Sequence, residues 1–560
     1  MRKIAGAAAL CLACSLVGIG LAHAQGRGGG TWSTAGGDPQ LTGFQRTEPR
    51  LTRNTVKNMK LHWKLKLGSQ PVTQASEPLF AGHTITNLGF KDMVVVLGPG
   101  NTLSNVDYEL GTILWQRAVA PEVKGSSSCE NSQSSQFTVQ PAATFGGGGG
   151  RGPAAGGRGA AATPAPIPTG PPPNPPATTP RVGGNLAGGV GFGGLRGIFV
   201  VTADGNLHEQ ELNNGWDYGG AVKFMPAGAD LGAPLITGTT IFDSAGGSCG
   251  GSGNGVYALD MATDAYNKAF FDSGNLAVTG TDGPALSADS KTLFATTGSG
   301  SGDHANSVVA LDAKTLEVKD YFTPGGATAK TTMDVSPMVF SYKDHELVAA
   351  YVAGGRLALL DASSLGGSDH HTALAITAPL AKDGGSGAWG RLGSAEDSAG
   401  TRFIYVSVNG PLAAEAKLPA SNGAVTDGAV IAFKVEGGAS APKLTPAWVS
   451  PNVDNPSPAS IVMNATPPNV DNFGQPLAAP ATAPPTPAAG GIVFTLAEGE
   501  AGKNARLYGF DAETGAQVYS SGEEIGSPAK HAGISISGAH VVFLAADNTL
   551  YGFGIAYEKN

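Results

Sequence analysis

The stretch Gly255-Val256-Tyr257-Ala258-Leu259-Asp260 recurs along the chain, as Ser307-Val308-Val309-Ala310-Leu311-Asp312, as Arg356-Leu357-Ala358-Leu359-Leu360-Asp361 and as Arg506-Leu507-Tyr508-Gly509-Phe510-Asp511. The last copy continues into Ala512-Glu513-Thr514-Gly515. Each copy is a short apolar run between a turn residue and an aspartate that opens the next turn, as expected of a buried strand between two chain reversals. Weaker copies end at Asp107, Glu211, Lys434 and Gly554. The marks lie roughly 40 to 50 residues apart, apart from three longer steps, and that period matches one four-stranded propeller blade. A blade is a small twisted sheet that cannot bury both faces alone, so neighbours must stack and the ring must close. The repeat therefore predicts an all-β, eight-bladed β-propeller of four-stranded antiparallel blades, built as one domain over residues 25–560.

Composition agrees. The chain has 560 residues, 41% hydrophobic and only 14% charged, with 84 glycines and 38 prolines. Both residue types break helices, which excludes a helical bundle, and no window after residue 24 has helical periodicity. Basic residues number 35 against 44 acidic, a net charge of −9 with no basic run, so nucleic acid is excluded as a partner. The Gly/Pro excess divides in two. Part is spaced at blade intervals. The rest is packed into tracts that no core could hold: residues 145–184, read as a disordered low-complexity insertion, and residues 451–487, read as a Pro-rich loop insertion. Together with the small-residue run Gly410 to Gly428, these account for the three long steps. Strands are expected between the marks at 197–201, 239–242, 292–295 and 403–406, with a hairpin from 541–544 to 548–553.

Residues 1–24 read as a secretory signal peptide: Arg2 and Lys3, an apolar stretch from Ile4 to Leu21, then Ala22-His23-Ala24. The mature protein is then extracytoplasmic, periplasmic or secreted. No later stretch approaches the ~18 apolar residues that span a bilayer. Cys129 and Cys249 would remain, compatible with either a disulfide or two buried thiols. No CxxCH haem-attachment motif occurs. The ten histidines are scattered, and the pair His370-His371 reads as a solvated loop.

The repeats resemble those of the quinoprotein alcohol dehydrogenase-like propellers, whose units read A-L-D-x-x-T-G-x-x-x-W. The leading segment Trp32-Ser33-Thr34-Ala35-Gly36-Gly37-Asp38-Pro39 fits that family, as does Leu51-Thr52 through Asn54, Val56-Lys57-Asn58-Met59-Lys60-Leu61-His62-Trp63-Lys64. The family includes dehydrogenases dependent on pyrroloquinoline quinone (PQQ), a propeller of outer-membrane-protein assembly and members with no quinone. For an enzyme, the resemblance implies PQQ at the propeller axis, a Ca²⁺ on its carbonyl and an aspartate base. Asp303 matches the base position, Asp334 a second carboxylate position, and Ser299 stands where the family places a calcium-binding asparagine. The departures are several. Thr281 replaces the tryptophan under the quinone, Gly246-Gly247-Ser248 stands where the calcium-binding glutamate belongs, with Asp243 the nearest carboxylate, and Ala353 replaces the lysine that pairs with the quinone. The mature chain has no adjacent cysteines. A divalent ion would lose charge compensation and coordination number there, and a quinone its stacking ring.

Two functions follow. One is a non-catalytic binding or scaffold module with a degenerate quinone and calcium site, taking a protein, peptide or glycan on its rim or axial face, with neither cofactor nor metal. The alternative is a divergent PQQ- and calcium-dependent dehydrogenase of alcohols or sugars with Asp303 as base. The repeated aspartates 260, 312, 361 and 511 read as structural turn residues. Tryptophans 63, 115, 216, 389 and 448, spread over the blades, read as inter-blade packing aromatics.

Overall fold

The computed structural model describes residues 32–555, except 121–134, 141–196, 247–252, 262–264, 270–275, 326–332, 383–387, 464–489, 500–501 and the single positions or pairs 47, 49, 74, 87–88 and 218–219. Residues 1–24, the tract 145–184, Cys129 and Cys249 lie outside the described residues.

Eight four-stranded antiparallel blades follow one another along the chain. Blade 1 runs Leu79–Thr86, Gly89–Gly98, Thr102–Asp107 and Thr112–Ala118 from the axis outward. The first strands of blades 2 to 8 begin at Gln136, Leu235, Ala285, Met338, Gly393, Ser460 and Ser535. The last blade supplies only three strands from the C-terminal end, and its outermost strand is Lys60–Lys66, which pairs antiparallel with Thr549–Gly554. The two ends of the chain therefore close the ring in a shared sheet.

All eight sequence marks fall in the third strand of successive blades or directly after it. Asp107, Asp260, Asp312, Asp361, Asp511 and Gly554 end that strand, Glu211 follows it, and Lys434 lies within it. The aspartates do what a turn aspartate does: Asp312 Oδ1 accepts from the amides of Lys314 (2.9 Å) and Thr315 (3.0 Å), and Asp511 Oδ1 from Glu513 (3.0 Å) and Thr514 (2.9 Å). These amide donors hold the Asp312 carboxyl below its ordinary range.

Alternation along each strand sends side chains to the two neighbouring blades. In blade 4, Phe294 and Ala310 pack against Val339, Val348 and Leu360 of blade 5, while Leu293, Ala295, Val309 and Leu311 pack against Phe242, Val256 and Ala258 of blade 3. The core is thus a ring of inter-blade layers.

Three of the tryptophans bind adjacent blades as expected. Trp63, Trp115 and Trp448 stand on outermost strands and donate from Nε1 to the carbonyls of Tyr108 (2.6 Å), Leu212 (2.9 Å) and Ala512 (2.9 Å) in the following blade. Each ring covers a turn glycine, Gly111, Gly215 or Gly515, at positive φ. Trp216 departs from the expectation, being 48% exposed, and Trp389 faces the axis. The stretch 451–487 also departs. Residues 451–463 are packed, and Ser460–Val462 is the innermost strand of blade 7. Its short apolar run Ile461-Val462-Met463 is flanked by proline and asparagine, which hid it in a Pro-rich composition. Residues 464–487 lie outside the described residues.

The leading segment fills the axis. Innermost strands present an unpaired edge toward the centre, and this segment satisfies it. The amides of Phe80, Val139, Leu286, Val339, Ser394 and Ile461 donate to the carbonyls of Trp32 (2.7 Å), Ser33 (2.9 Å), Pro39 (2.8 Å), Gln40 (2.9 Å), Thr42 (2.8 Å) and Gly43 (2.7 Å). Phe44–Gln45 runs parallel to Ile461–Val462, and Gln45 Nε2 donates to the carbonyl of Ile536 (2.7 Å). Seven of the eight blades are hydrogen-bonded to this one strand of chain.

Candidate functional site

The residues that lead into the innermost strands converge on the axis from different blades. Glu77 precedes blade 1, Asp282 blade 4, Arg391 blade 6, Pro458 blade 7 and His531 blade 8. All five line one axial void, together with Thr281, Gln136 and Trp389. The void holds about 30 Å³, room for a water molecule or two.

Its floor is an ionic cluster. The Arg391 side chain is 0% exposed; its Nη1 lies 2.6 Å from Glu77 Oε2 and 2.6 Å from Asp282 Oδ2, and its Nη2 donates to Ser460 Oγ (3.1 Å). Backbone pairing fixes its place, because Gly390–Arg391 pairs in parallel with Val335–Ser336 ahead of blade 5. Trp32 donates from Nε1 to Glu77 Oε1, and its ring lies 5.8 Å from the guanidinium. The leading segment packs on the other side, where a Cβ at Gly36 would stand 3.0 Å from Arg391 Cδ.

Two carboxylates share one guanidinium, so full ionisation would leave a net buried negative charge. Burial pushes the Glu77 carboxyl up to about 7; Arg391 pulls against this, and Asp282 reinforces it. Burial also works against the Arg391 charge, but Glu77 and Asp282 more than offset it and raise its affinity for the proton. The cluster can therefore hold a proton near neutrality. Above it, Trp389 meets His531 edge to face at 5.0 Å, and the Trp389 Nε1 is buried with no hydrogen-bond partner. Glu498 positions this edge of the void by accepting from the His531 amide (2.7 Å).

The residues singled out from sequence do not meet here. Asp303 and Ser299 are exposed on the loop between the second and third strands of blade 4. Asp334 is half-buried just before Val335–Ser336, where desolvation and then the charge of Asp334 raise the Asp230 carboxyl. None of the three lines the axial void. Thr281 does, at the position where the resemblance puts a tryptophan. Ala353 is fully buried in the layer between blades 4 and 5. Asp243 is fully buried in blade 3, with its carboxyl raised well above the ordinary value by burial. Among the described residues, no three His, Cys, Asp or Glu side chains are grouped to hold a metal ion. His370 is more engaged than a solvated loop residue, stacking on Tyr321 at 4.1 Å with Nδ1 2.9 Å from Asp320.

Glu77, Asp282 and Arg391 were missed because their signal is positional. Each immediately precedes a first strand, and phasing the repeat to that point, rather than to its third strand, would have singled them out.

No family model matches the sequence, and no curated protein matches it. Solved structures do share its fold. A quinohemoprotein alcohol dehydrogenase from Comamonas testosteroni is 14% identical with a TM-score of 0.54, over 95% of this chain and 81% of that one. A quinohemoprotein alcohol dehydrogenase from Pseudomonas putida HK5 is 13% identical with a TM-score of 0.56, over 96% and 82%. A europium-containing methanol dehydrogenase is 11% identical with a TM-score of 0.54, over 94% and 98%.

Proposed function

With a fold shared with quinoprotein alcohol dehydrogenases as the premise, we propose that this chain is an extracytoplasmic propeller that works by binding, as a docking or scaffold module for a protein, peptide or glycan on its axial face or rim. The observation that carries the reading is Arg391. A side chain fully enclosed between Glu77 and Asp282 occupies the axis, beside a void of about 30 Å³. PQQ is a tricyclic quinone with three carboxylates, and on the axis it would meet two more, Glu77 and Asp282, which already share the one guanidinium there. The residues present do not fit it: Thr281 offers no ring to stack on, Ala353 no cation, and Ser299 is exposed on a loop away from the void. No chemical step is therefore routed through a quinone.

The experiment is a titration of the mature protein with PQQ and Ca²⁺. It follows quinone absorbance and dye reduction over a panel of alcohols and sugars, with Asp303→Asn in parallel. The binding-module reading expects neither saturable quinone binding nor dye reduction. Saturable micromolar binding, with turnover that Asp303→Asn abolishes, would overturn it in favour of the divergent dehydrogenase.

A further inference from the structure

The seam where the ring closes contains two imidazoles. His62 lies on the N-terminal strand Lys60–Lys66, at the bulge between Leu61 and Trp63 in its pairing with Thr549–Gly554. His540 lies one strand further in, on His540–Leu544. The intervening strand puts Gly554 between them, where a Cβ would stand 2.9 Å from His540 Cδ2 and 3.1 Å from His62 Cε1. The absence of a side chain lets the rings meet, and His62 Nδ1 lies 3.3 Å from His540 Nε2.

The proton positions follow from the partners. His540 Nδ1 faces the carbonyl of Gly538 at 2.9 Å, and a carbonyl only accepts, so Nδ1 carries the proton. That leaves Nε2 as a lone pair receiving the Nδ1 proton of His62. A first proton enters at Nε2 of the exposed His62 ring and leaves the Nδ1–H···Nε2 contact in place. A second sets N–H against N–H.

The surroundings offer little compensation. His540 is 1% exposed. From the leading segment it faces the Arg50 cation, and the nearby Glu48 carboxylate is already engaged by the amides of Ala539 (2.5 Å) and Arg50 (2.8 Å). From blade 1, Tyr108 contributes a ring edge at 5.0 Å. On the N-terminal strand, Lys60 is paired with Gly554 beside it.

We propose that the His62–His540 pair is an acid-operated latch on ring closure: protonation breaks the contact between the two ends of the chain and loosens Lys60–Lys66 from blade 8. The direction of both titrations agrees. Partial desolvation lowers His62, which still reaches solvent, and burial, with His62 and Arg50, lowers His540 to about 4 against the Gly538 hydrogen bond. A base depressed by folding leaves stability untouched above its unfolded value near 6.5 and subtracts from it as pH falls from there toward the folded value.

Hydrogen exchange of the intact mature protein tests the latch, comparing pH 7.5 with pH 5.0 after correction for intrinsic rates. Protection of 60–66 is expected to fall about tenfold or more at pH 5.0, a shift equivalent to one unit of pKa, while blades 3 to 6 keep theirs. His540→Asn should remove most of that acid response, and His62→Asn, on an edge strand that tolerates it, the share that comes from the facing imidazole. Unchanged protection of 60–66 down to pH 5.0 would overturn the latch, as would a wild-type acid response in His62→Asn. If His540→Asn does not fold, His62→Asn alone decides.

Discussion

Arg391 Nη1 lies 2.6 Å from Glu77 Oε2, although 314 positions separate them and they lead into blades 6 and 1, which are not neighbours in an eight-bladed ring. Asp282, leading into blade 4, meets the same nitrogen at 2.6 Å. The cluster ties the ring across its axis, and the leading segment ties it strand by strand. Removing one partner of a buried ion pair strands the other charge, at a cost of about 3–5 kcal/mol. Arg391→Met should lower the denaturant midpoint accordingly. Arg391→Met combined with Glu77→Gln and Asp282→Asn should recover much of that loss.

The same cluster predicts a pH dependence of opposite sign to the histidine latch. Glu77 is raised from 4.5 to about 7 by folding. Its contribution is full below the unfolded value and is lost as pH rises through the folded one. Between pH 5 and 8 the loss is on the order of 3 kcal/mol. Glu77→Gln should flatten the profile of unfolding free energy over that range.

Gly515 and Gly522 separate backbone strain from collision. Both have positive φ, 72° and 59°. A Cβ at Gly515 would run into the Trp448 ring, whereas at Gly522 it would meet nothing within 4 Å. Gly522→Ala should cost about 1–2 kcal/mol of strain alone. Gly515→Ala should cost about 1–3 kcal/mol more, from displacing the tryptophan, as read by the difference in thermal midpoints.

Asp511 and Asp303 should also part company. Asp511 is buried, caps its turn through two amides and pairs with Arg53. Asp511→Ala should cost about 1–3 kcal/mol through the stranded donors. Asp303 is exposed, and Asp303→Asn should stay within about 0.5 kcal/mol of wild type. Chemical denaturation of the two variants checks both values.

The fold was legible because it is written locally and repeatedly. Asp260, Asp312, Asp361 and Asp511 each end a strand, and the last three accept from the amides that follow, so any one copy carries the blade and the spacing carries the ring. Predicted strands 197–201 and 292–295 match Gly197–Val201 and Thr292–Thr297 for the same reason. The axial site has no such local writing. Glu77, Asp282 and Arg391 come from distant blades and share no motif, only a place two or three residues ahead of a first strand, and ring closure brings them together. The resemblance pointed instead to the loop bearing Ser299 and Asp303, where both side chains face solvent. Ser460–Val462 was hidden by composition, since a three-residue strand among prolines and asparagines carries too few apolar residues to stand out.

The claim that residues fill the axis is tested most directly by a crystal structure grown with PQQ and Ca²⁺ in excess. The account predicts the Arg391 guanidinium between Glu77 and Asp282, with Trp32 against it and no quinone density on the axis. Planar density above Thr281, with Arg391 displaced from both carboxylates, would contradict it.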